Sequence, residues 1–370
     1  MKILQIASFI GNIGDNASHI GFNNILSKHG VIPNIHSMEM RKFYNNYQGA
    51  DRLHFDKYFV KFANTFDRVV IGGGGFLDYC IEGSQTGTTI NMCPSLLDAF
   101  KVPVWFTSLG CVPHFPVPKT NINKLRTFLE ACFNNPLITI NVRNDSSILK
   151  LKQDIGPQYA EKVTEIVDHG FFYEALPTAE LPIKNFIAVN ISEDQLPMQR
   201  SSGRVINPEN YYSLLAQTLN ELLTSTNKNI VLVPHIYSDL AAISCLLNKM
   251  GDFEIRSRVT IAPCIQDITG ANFIFNLYQK ADLIIGMRLH ANVCGLAMAK
   301  PTIGLQALDR VGYMYQHLGL TNRTILADQN FAEDLFNLSI TALKHPNEYS
   351  STGNLRQLKE LTMTHYQSFF

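Results

Sequence analysis

Short apolar runs alternate along this chain with longer stretches in which apolar residues recur every three or four positions. A short run rich in Val, Ile and Phe is typical of a strand buried on both faces of a parallel sheet, whereas the longer spacing predicts a helix. Because the two patterns alternate in both halves of the sequence, they predict an α/β protein built from βαβ units with doubly wound sheets.

The pattern also predicts where the chain divides. In the first half it predicts strands at residues 2–8, 31–35, 68–71, 102–108 and 138–142, with helices at 19–29, 95–99, 121–133 and 146–155. In the second half it predicts strands at 186–191, 229–234, 254–261, 283–286 and 301–305, with helices at 208–223, 240–250, 269–280 and 291–299. Residues 174–184 contain two prolines and little periodicity, which indicates a linker. We therefore expect Rossmann-like domains at 1–175 and 176–345, facing across a cleft, and a helical tail at 346–370 that crosses back onto the first.

Composition narrows the function more than the fold. Of the 370 residues, 46% are hydrophobic and 17% charged, as in ordinary globular proteins. Lys plus Arg and Asp plus Glu both number 31, so no net field attracts nucleic acid, and an anion must be bound by a few local groups. The seven cysteines contain no Cys-x-x-Cys pair, which argues against a disulfide framework or a zinc site.

Nothing in the sequence indicates a membrane-spanning protein. No apolar run approaches the roughly 20 residues needed to cross a bilayer, and no targeting segment is visible near the N-terminus. We therefore expect a cytoplasmic protein without a transmembrane segment. Peripheral contact with a membrane-bound acceptor stays open.

The first candidate motif is Gly-Asn-Ile-Gly-Asp-Asn at residues 11–16, between the first predicted strand and helix. Glycine permits a tight turn, and the N–H groups at a helix start favour anions, so Asn12, Gly14 and Asp15 are candidate site residues. The spacing is not the Gly-x-Gly-x-x-Gly of dinucleotide-binding folds. The alternative is that Asp15 or Asn16 only caps the helix.

Four consecutive glycines follow the third predicted strand, at residues 72–75. Such a run indicates a backbone that passes close to a ligand, so Gly73 and Gly74 are candidate substrate-binding residues. The run lacks the Gly-Lys-Ser/Thr ending of a nucleotide P-loop, which argues against ATP hydrolysis. A purely structural glycine turn is the alternative.

Arg143 ends another predicted strand, directly before the start of a helix. The planar guanidinium can hold a carboxylate or phosphate through two parallel hydrogen bonds, so Arg143 is a candidate grip for an anionic substrate. The alternative is an arginine that pairs with Asp145 or Asp168.

The most specific signal is Gly-Met-Arg-Leu-His at residues 286–290. Arg288 and His290 follow a buried strand, so a permanent cation and a group that titrates near neutral pH share one helix start. Together they can hold an anionic substrate and move a proton. His235 follows a different strand, with Asp239 four residues later, and this pair either lines the same cleft or forms a local cap.

An aromatic-rich stretch lies between the second and third predicted strands. Its rings could stack on sugar faces, dock a lipid carrier or form helix core, and the sequence leaves these alternatives open. The stretch comprises Phe43, Tyr44, Tyr47, Phe55, Tyr58, Phe59 and Phe62.

With these motifs in order, the chain resembles the polysaccharide pyruvyl transferase family. The resemblance extends over roughly residues 2–310 and depends on the order and spacing of several motifs together. These are Gly-Asn-Ile-Gly-Asp at 11–15, the glycine run at 72–75, Ser-Leu-Gly at 108–110, Val-Arg-x-Asp-Ser at 142–146, Asp168 before a Gly-Phe pair, and Gly-x-Arg-Leu-His at 286–290.

The resemblance implies a fold similar to the two-domain GT-B arrangement of glycosyltransferases. It implies transfer of an enolpyruvyl unit from phosphoenolpyruvate to a pair of sugar hydroxyls, giving a pyruvate ketal on a surface polysaccharide or its lipid-linked precursor. It further implies that His290 protonates the methylene carbon of the donor, that Arg143 and Arg288 hold its anionic groups, and that Asp15 acts beside the reacting centre. Such chemistry needs no metal and no redox cofactor.

The chain departs from the family at several positions. Leu308-Asp309-Arg310 stands where an aromatic-Asp pair and a Lys are usual, and Asn16 replaces an acidic residue. Because fold alone does not fix a reaction, the alternative is a glycosyltransferase that recognises a nucleotide-sugar around His235 and Asp309, with Arg288 at the diphosphate. A third hypothesis is a non-catalytic sugar-phosphate-binding protein, which burial of His290 away from any cleft would favour.

Overall fold

The chain divides into two units by its internal contacts. The computed structural model describes residues 1–179, 181–198, 200, 203, 205–328, 330–367 and 370. One unit comprises Met1–Phe9, Phe22–His169 and Leu358–Phe370, and the other comprises Ile10–Gly21 and Gly170–Gln357. The predicted boundaries, 1–175 and 176–345, describe domains that are expected to fold separately. A division by internal contacts does not test separate folding, so these boundaries stay a prediction.

The first unit contains a parallel sheet of six strands in the order β2-β1-β3-β4-β5-β6. The connections diverge between β1 and β3, which makes their carboxyl ends the topological switch point of this sheet. The strands are β1 Lys2–Ala7, β2 Asn34–Glu39, β3 Arg68–Gly72, β4 Val104–Leu109, β5 Ile138–Arg143 and β6 Thr164–Ile166. The connecting helices are α1 Ile13–Lys28, α2 Lys57–Ala63, α3 Asn121–Asn134, α4 Ser147–Lys150 and α5 Pro157–Ala160, with a π-helical turn at Leu151–Ile155.

The second unit contains another six-stranded parallel sheet, in the order β12-β11-β10-β7-β8-β9. Its switch point lies between β7 and β10, which pair directly. The strands are β7 Phe186–Asn190, β8 Asn229–Leu232, β9 Val259–Ile261, β10 Leu283–Gly286, β11 Thr302–Gln306 and β12 Thr324–Leu326. Its helices are α6 Pro208–Ser225, α7 Ser238–Leu247, α8 Asp252–Arg258, α9 Asp267–Lys280, α10 Leu289–Ala297, α11 Asp309–His317, α12 Phe331–Lys344 and α13 Pro346–Tyr349. The last helix, α14 Leu355–Gln367, belongs to the first unit from Leu358 onward.

The prediction of two doubly wound, Rossmann-like sheets is confirmed. Every residue of β4, β7 and β10 is buried, which explains why these strands read as continuous apolar runs without alternation. No helix in the described part of the chain combines the length and the apolar character needed to cross a bilayer.

Some element predictions were wrong. The strand predicted at 254–261 is α8 followed by the three-residue β9, because acidic residues at the start of α8 and arginines at its end suit the helix dipole. The strand predicted at 31–35 begins at Asn34, since β2 is a half-exposed edge strand whose mixed composition gives no clear run. The strands β6 and β12 and the helices α2, α5, α11 and α12 were not predicted.

Within the aromatic-rich stretch, three phenylalanines are core residues. Phe43 and Phe55 stack with ring centroids 4.1 Å apart, and Phe59 meets Phe55 edge to face at 5.1 Å. Tyr58 is 69% exposed and Phe62 40%, so the core alternative describes these phenylalanines and not the whole stretch.

Candidate functional site

Three adjacent strands of the second unit end at one group of polar side chains. Arg288 and His290 follow β10, while His235 and Asp239 follow β8, on the other side of β7. Asn190, the last residue of β7, accepts the backbone N–H of Arg288 through its side chain at 2.9 Å. Arg288, His290 and His235 therefore follow strands on either side of the switch point of this sheet, where open parallel sheets bind ligands.

His290 lies against the first turns of α1 and is only 5% exposed. Its Nε2 is 3.0 Å from the hydroxyl oxygen of Ser18. A Cβ placed on Gly14 would lie 2.5 Å from its Nδ1, so only glycine fits at position 14 without displacing the ring. The glycine motif and the Arg-x-His motif thus form one cluster, since residues 10–21 belong to the second unit.

Ser18 was not singled out from the sequence. The signal that could have found it is spacing, because residues four apart on a helix share one face, and Ser18 is four residues after Gly14.

Asn12 organises the start of α1. Its side-chain oxygen accepts the N–H of Gly14 at 3.0 Å, and its amide donates to Asp15 Oδ1 at 3.3 Å. Asn12, rather than Asp15 or Asn16, therefore caps the helix. Asp15 is half-buried, and its role beside a reacting centre stays a prediction.

Arg288 is 7% exposed and lies between two carboxylates. Its Nε donates to Asp239 Oδ2 at 2.8 Å, and its Nη2 donates to Asp194 Oδ1 at 2.7 Å. Burial alone would lower the pKa of the guanidinium, but the hydrogen bonds and charges of Asp239 and Asp194 outweigh it and raise the pKa. Arg288 is thus a fixed cation, and its Nη1 makes no hydrogen bond to the described residues.

Asp239 and His235 form both a local cap and part of the cluster. Asp239 Oδ2 accepts the backbone N–H of His235 at 2.8 Å while the same carboxylate holds Arg288. His235 is fully buried, with Nε2 2.8 Å from the hydroxyl of Tyr278, and its Nδ1 has no hydrogen-bond partner in the part of the chain that the structure describes. Burial first, and then the charges of Arg288 and His290, place the pKa of His235 well below its usual value. His235 is therefore a neutral imidazole.

In the first unit, Arg143 is 4% exposed and is also held by carboxylates. Its Nε donates to Asp145 Oδ2 at 2.5 Å, and its Nη1 to Asp168 Oδ2 at 3.4 Å. Burial opposes the charge, but the two aspartates outweigh it and raise the pKa of Arg143. Arg143 therefore pairs with aspartates, as the alternative interpretation of the sequence held. The Nη2 of Arg143 makes no hydrogen bond to the described residues.

The loops after β4 and β5 carry backbone strain and unsatisfied polar atoms. Ser108 and Ser146 have φ values of 51° and 77°, which non-glycine residues seldom adopt. The amide nitrogen of Asn144 and the hydroxyl of Ser146 are buried and find no hydrogen-bond partner among the residues that the structure describes. Strain and orphaned polar groups concentrate at functional sites, so these residues join Arg143 in the candidate site of the first unit.

The glycine run after β3 packs tightly on the neighbouring strand. A Cβ on Gly72 would lie 1.9 Å from the carbonyl oxygen of Thr107, and the N–H of Gly73 donates to the same oxygen at 3.1 Å. Gly74 accepts the N–H of Gly110 at 2.8 Å. Close packing on β4 is thus one reason for the glycines, and substrate binding by Gly73 and Gly74 stays a prediction.

Two other features lie outside these clusters. Asp309 begins α11 and is half-buried, and its role in substrate binding stays a prediction. A cavity of about 840 Å³ is lined by Phe186, Asn229 and Asp282, at or just before the amino ends of β7, β8 and β10. Because ligands bind at the opposite ends of such strands, this cavity is not the candidate site.

No group of three or more potential metal ligands occurs among the residues described.

Comparison with known families finds one match that covers most of the chain. The family model described as polysaccharide pyruvyl transferase matches residues 12–306, which include both clusters. A comparison with curated protein sequences finds no match.

Several solved structures share the fold over nearly the whole chain. An S. aureus protein, MnaA, solved with UDP, has a TM-score of 0.54 at 12% identity, covering 96% of this chain and 92% of its own. UDP-GlcNAc 2-epimerase from Neisseria meningitidis bound to UDP-GlcNAc has a TM-score of 0.52 at 12% identity, covering 99% and 100%. A glycosyltransferase from Rickettsia africae has a TM-score of 0.53 at 12% identity, covering 98% and 93%. At 12% identity, the similarity to these structures shows the fold alone. The expectation of a GT-B-like fold is confirmed.

Proposed function

Since its residues 12–306 match the family model, the chain belongs to the polysaccharide pyruvyl transferase family, and we propose that it transfers the pyruvyl group of phosphoenolpyruvate to a sugar. The acceptor is a residue of a polysaccharide or of its precursor, and the product is a pyruvate ketal. One observation carries the proposal beyond family membership. The buried His290 contacts Gly14 and Ser18, so two motifs far apart in sequence form one cluster.

The proposed reaction balances without a metal or a cofactor. A proton from His290 adds to the methylene carbon of phosphoenolpyruvate, which becomes the methyl group and leaves an oxocarbenium-like centre at the neighbouring carbon. One sugar hydroxyl attacks that carbon and loses its proton, which restores the proton on His290. A second hydroxyl then displaces phosphate, which leaves with the second proton. The sum is phosphoenolpyruvate plus a diol giving a ketal plus phosphate.

The proposal gives a role to Ser18, Arg288, Arg143 and Asp15. Ser18 fixes the plane of the His290 ring through Nε2 and keeps the ring in one orientation. Aspartates hold the guanidinium groups of Arg288 and Arg143 rigid. We assign the nitrogens that these aspartates do not use, Nη1 of Arg288 and Nη2 of Arg143, to binding the anionic groups of the donor, its phosphate and its carboxylate. Asp15 orients an acceptor hydroxyl. Because phosphoenolpyruvate is an intracellular metabolite, the proposal includes a cytoplasmic location.

The donor is tested by calorimetric titration of the purified full chain with phosphoenolpyruvate, in parallel with UDP-, GDP- and CMP-sugars. We expect phosphoenolpyruvate alone to bind, and Arg143→Ala and Arg288→Ala to weaken it. Binding of one nucleotide-sugar in its place would establish the alternative, a nucleotide-sugar glycosyltransferase. That alternative is supported by the printed ligands of the structural neighbours, UDP and UDP-GlcNAc.

The proton donor is tested by turnover. With phosphoenolpyruvate and an active acceptor, His290→Ala should abolish phosphate release and appearance of the ketal methyl signal in NMR spectra, while donor binding persists. Ser18→Ala should lower kcat and shift its pH profile, whereas Ser27→Ala, an exposed serine on the same helix, should do neither. Full turnover by His290→Ala would exclude the proton-donor role and leave the non-catalytic binding protein as the remaining hypothesis.

A further inference from the structure

A second cavity, in the first unit, has the lining of a carbohydrate site. Its volume is about 350 Å³, within the range of roughly 300–1,000 Å³ typical of small-molecule sites. Residues 44–46 form one wall, and residues 80–82 with 88–89 form the other. The first segment comes after β2 and the second after β3, so both belong to connections that leave the carboxyl ends of strands, where parallel sheets bind ligands.

The wall formed by the β3 connection is rigid although it contains no helix or strand. Within residues 79–92, the hydroxyls of Ser84, Thr86 and Thr88 are buried and bonded to one another at 3.2 Å and 2.9 Å. The side-chain amide of Asn121 donates to three backbone carbonyls of this segment, at 3.0 to 3.2 Å. A wall held in this way loses little conformational entropy when a ligand binds.

The cavity presents polar groups that the protein itself does not use. Asn46, Glu82 and Thr89 are among its lining residues, and none of their side chains makes a hydrogen bond to a described residue. Asn45, by contrast, is committed to the wall, because its amide donates to the carbonyl of Glu82 at 3.3 Å. The half-buried ring of Tyr44 and the side chain of Ile81 supply apolar surface.

The charge of the lining selects the class of ligand. The described residues that line the cavity include no Lys or Arg, and Glu82 contributes a negative charge, so Coulomb repulsion disfavours phosphates, nucleotides and carboxylates. A sugar ring suits the remaining groups. Its C–H face packs on an aromatic ring, its hydroxyls donate to a carboxylate, and an amide serves both as donor and as acceptor.

We propose that this cavity binds one uncharged hexose or N-acetylhexosamine unit of the acceptor glycan. The link to the acceptor depends on the proposed pyruvyl transfer, but sugar binding by the cavity does not. The residues that line the cavity do not include His290, Arg288 or Arg143, so we assign it to selection of the acceptor and not to the proton transfer.

The experiment uses the full chain without phosphoenolpyruvate. Saturation-transfer difference NMR is recorded with glucose, galactose, N-acetylglucosamine, N-acetylmannosamine and glucuronic acid. We expect at least one uncharged sugar to bind, and glucose to bind more tightly than glucuronic acid, which differs from it by a carboxylate. Tyr44→Leu and Asn46→Ala should each raise the dissociation constant of that sugar about tenfold, equivalent to ~1.4 kcal/mol.

Matched variants isolate the charge argument. Glu82→Gln should weaken binding of the uncharged sugar. It should also reduce the difference in affinity between that sugar and glucuronic acid, because the repulsion is removed while an acceptor oxygen is kept. Glu161→Gln and Asn134→Ala, which alter exposed residues of the same unit, should change neither. Absence of binding by every sugar, or binding unchanged in the three cavity variants, would overturn the proposal. Phosphoenolpyruvate titrations of these variants test the donor separately and are expected to match those of the unmodified chain.

Discussion

At the scale of single residues, the cluster of the second unit depends on the absence of a side chain. Gly14 lies near the start of α1, a position where alanine normally favours a helix over glycine by about 1 kcal/mol. Here the ring of His290 occupies the space that a Cβ would need. The local helix preference and the tertiary contact therefore predict opposite effects for the same substitution.

We expect Gly14→Ala to lower both the free energy of unfolding and kcat, because the contact with His290 outweighs the gain in helix preference. Denaturant unfolding and phosphate release measure the two effects. Asn23→Ala, on the exposed face of the same helix, serves as control and should leave both unchanged. A more stable Gly14→Ala protein would show that His290 does not occupy this position.

The ion pair of Arg288 gives a second prediction at this scale. Asp239→Asn leaves a buried guanidinium without its main carboxylate and should lower the free energy of unfolding by about 3–5 kcal/mol. Asp252→Asn breaks the exposed pair with Arg256 and should change it by less than about 1 kcal/mol. Urea unfolding compares the two variants, and similar small losses in both would contradict the buried pair.

At the scale of elements, the C-terminal helix α14 completes the first unit. Residues 358–370 belong to that unit, and the hydroxyl of the buried Tyr366 bonds to Thr107 on β4 and, at 2.6 Å, to Nε2 of His169. Thr362 accepts the backbone N–H of Val167 at 3.2 Å. The helix thus satisfies polar groups of the first sheet that would otherwise be buried without partners.

Tyr366→Phe keeps the ring but removes the hydroxyl, so Thr107 and His169 lose a buried partner. We expect a loss of about 1–3 kcal/mol in the free energy of unfolding, with faster hydrogen exchange in β4. Tyr58→Phe removes a hydroxyl from a side chain that is 69% exposed and should change neither quantity. Equal stability of the two variants would mean that α14 does not contribute through this hydroxyl.

The same scale shows how far pattern alone carries. Buried strands such as β10 and long helices such as α6 were predicted within about two residues, because their patterns are continuous. Among the strands that the pattern missed or misplaced are β9, β6 and β12, each of three residues, which is too short for the pattern to separate a strand from a helix end. Charged and apolar residues are mixed from the end of α8 through β9, so the local pattern gives no boundary between the helix and the strand.

At the scale of the whole molecule, equal numbers of acidic and basic residues leave little long-range repulsion near neutral pH. The pH dependence of stability is then set by groups whose pKa changes on folding. Burial holds the pKa of His235 well below its usual value, and it lowers the pKa of His317 and His365 in the same direction.

The sign follows from proton binding. Below about pH 6.5 the unfolded chain protonates His235 and the folded chain does not, so its stabilising contribution is complete above that pH and declines as the pH falls. We expect the unfolding free energy to decrease by up to about 1.4 kcal/mol per pH unit from this residue. His235→Gln should flatten the profile between pH 6.5 and 5, measured by urea unfolding, and the exposed His54→Gln should not. An unchanged slope in His235→Gln would contradict a buried neutral imidazole.

The sequence by itself determined the fold class and most of the residues of interest. Apolar runs and glycine-bounded strand ends are local properties of the chain, so β10 and the residues that follow it, Arg288 and His290, could be identified without the structure. What only the tertiary structure decided is how these residues are paired. Ser18 reaches His290 across 272 positions of sequence, and Asp194 reaches Arg288 across 94. Such pairings depend on which strands become neighbours in the sheet, and the order of strands is set by packing over the whole chain rather than by any local pattern.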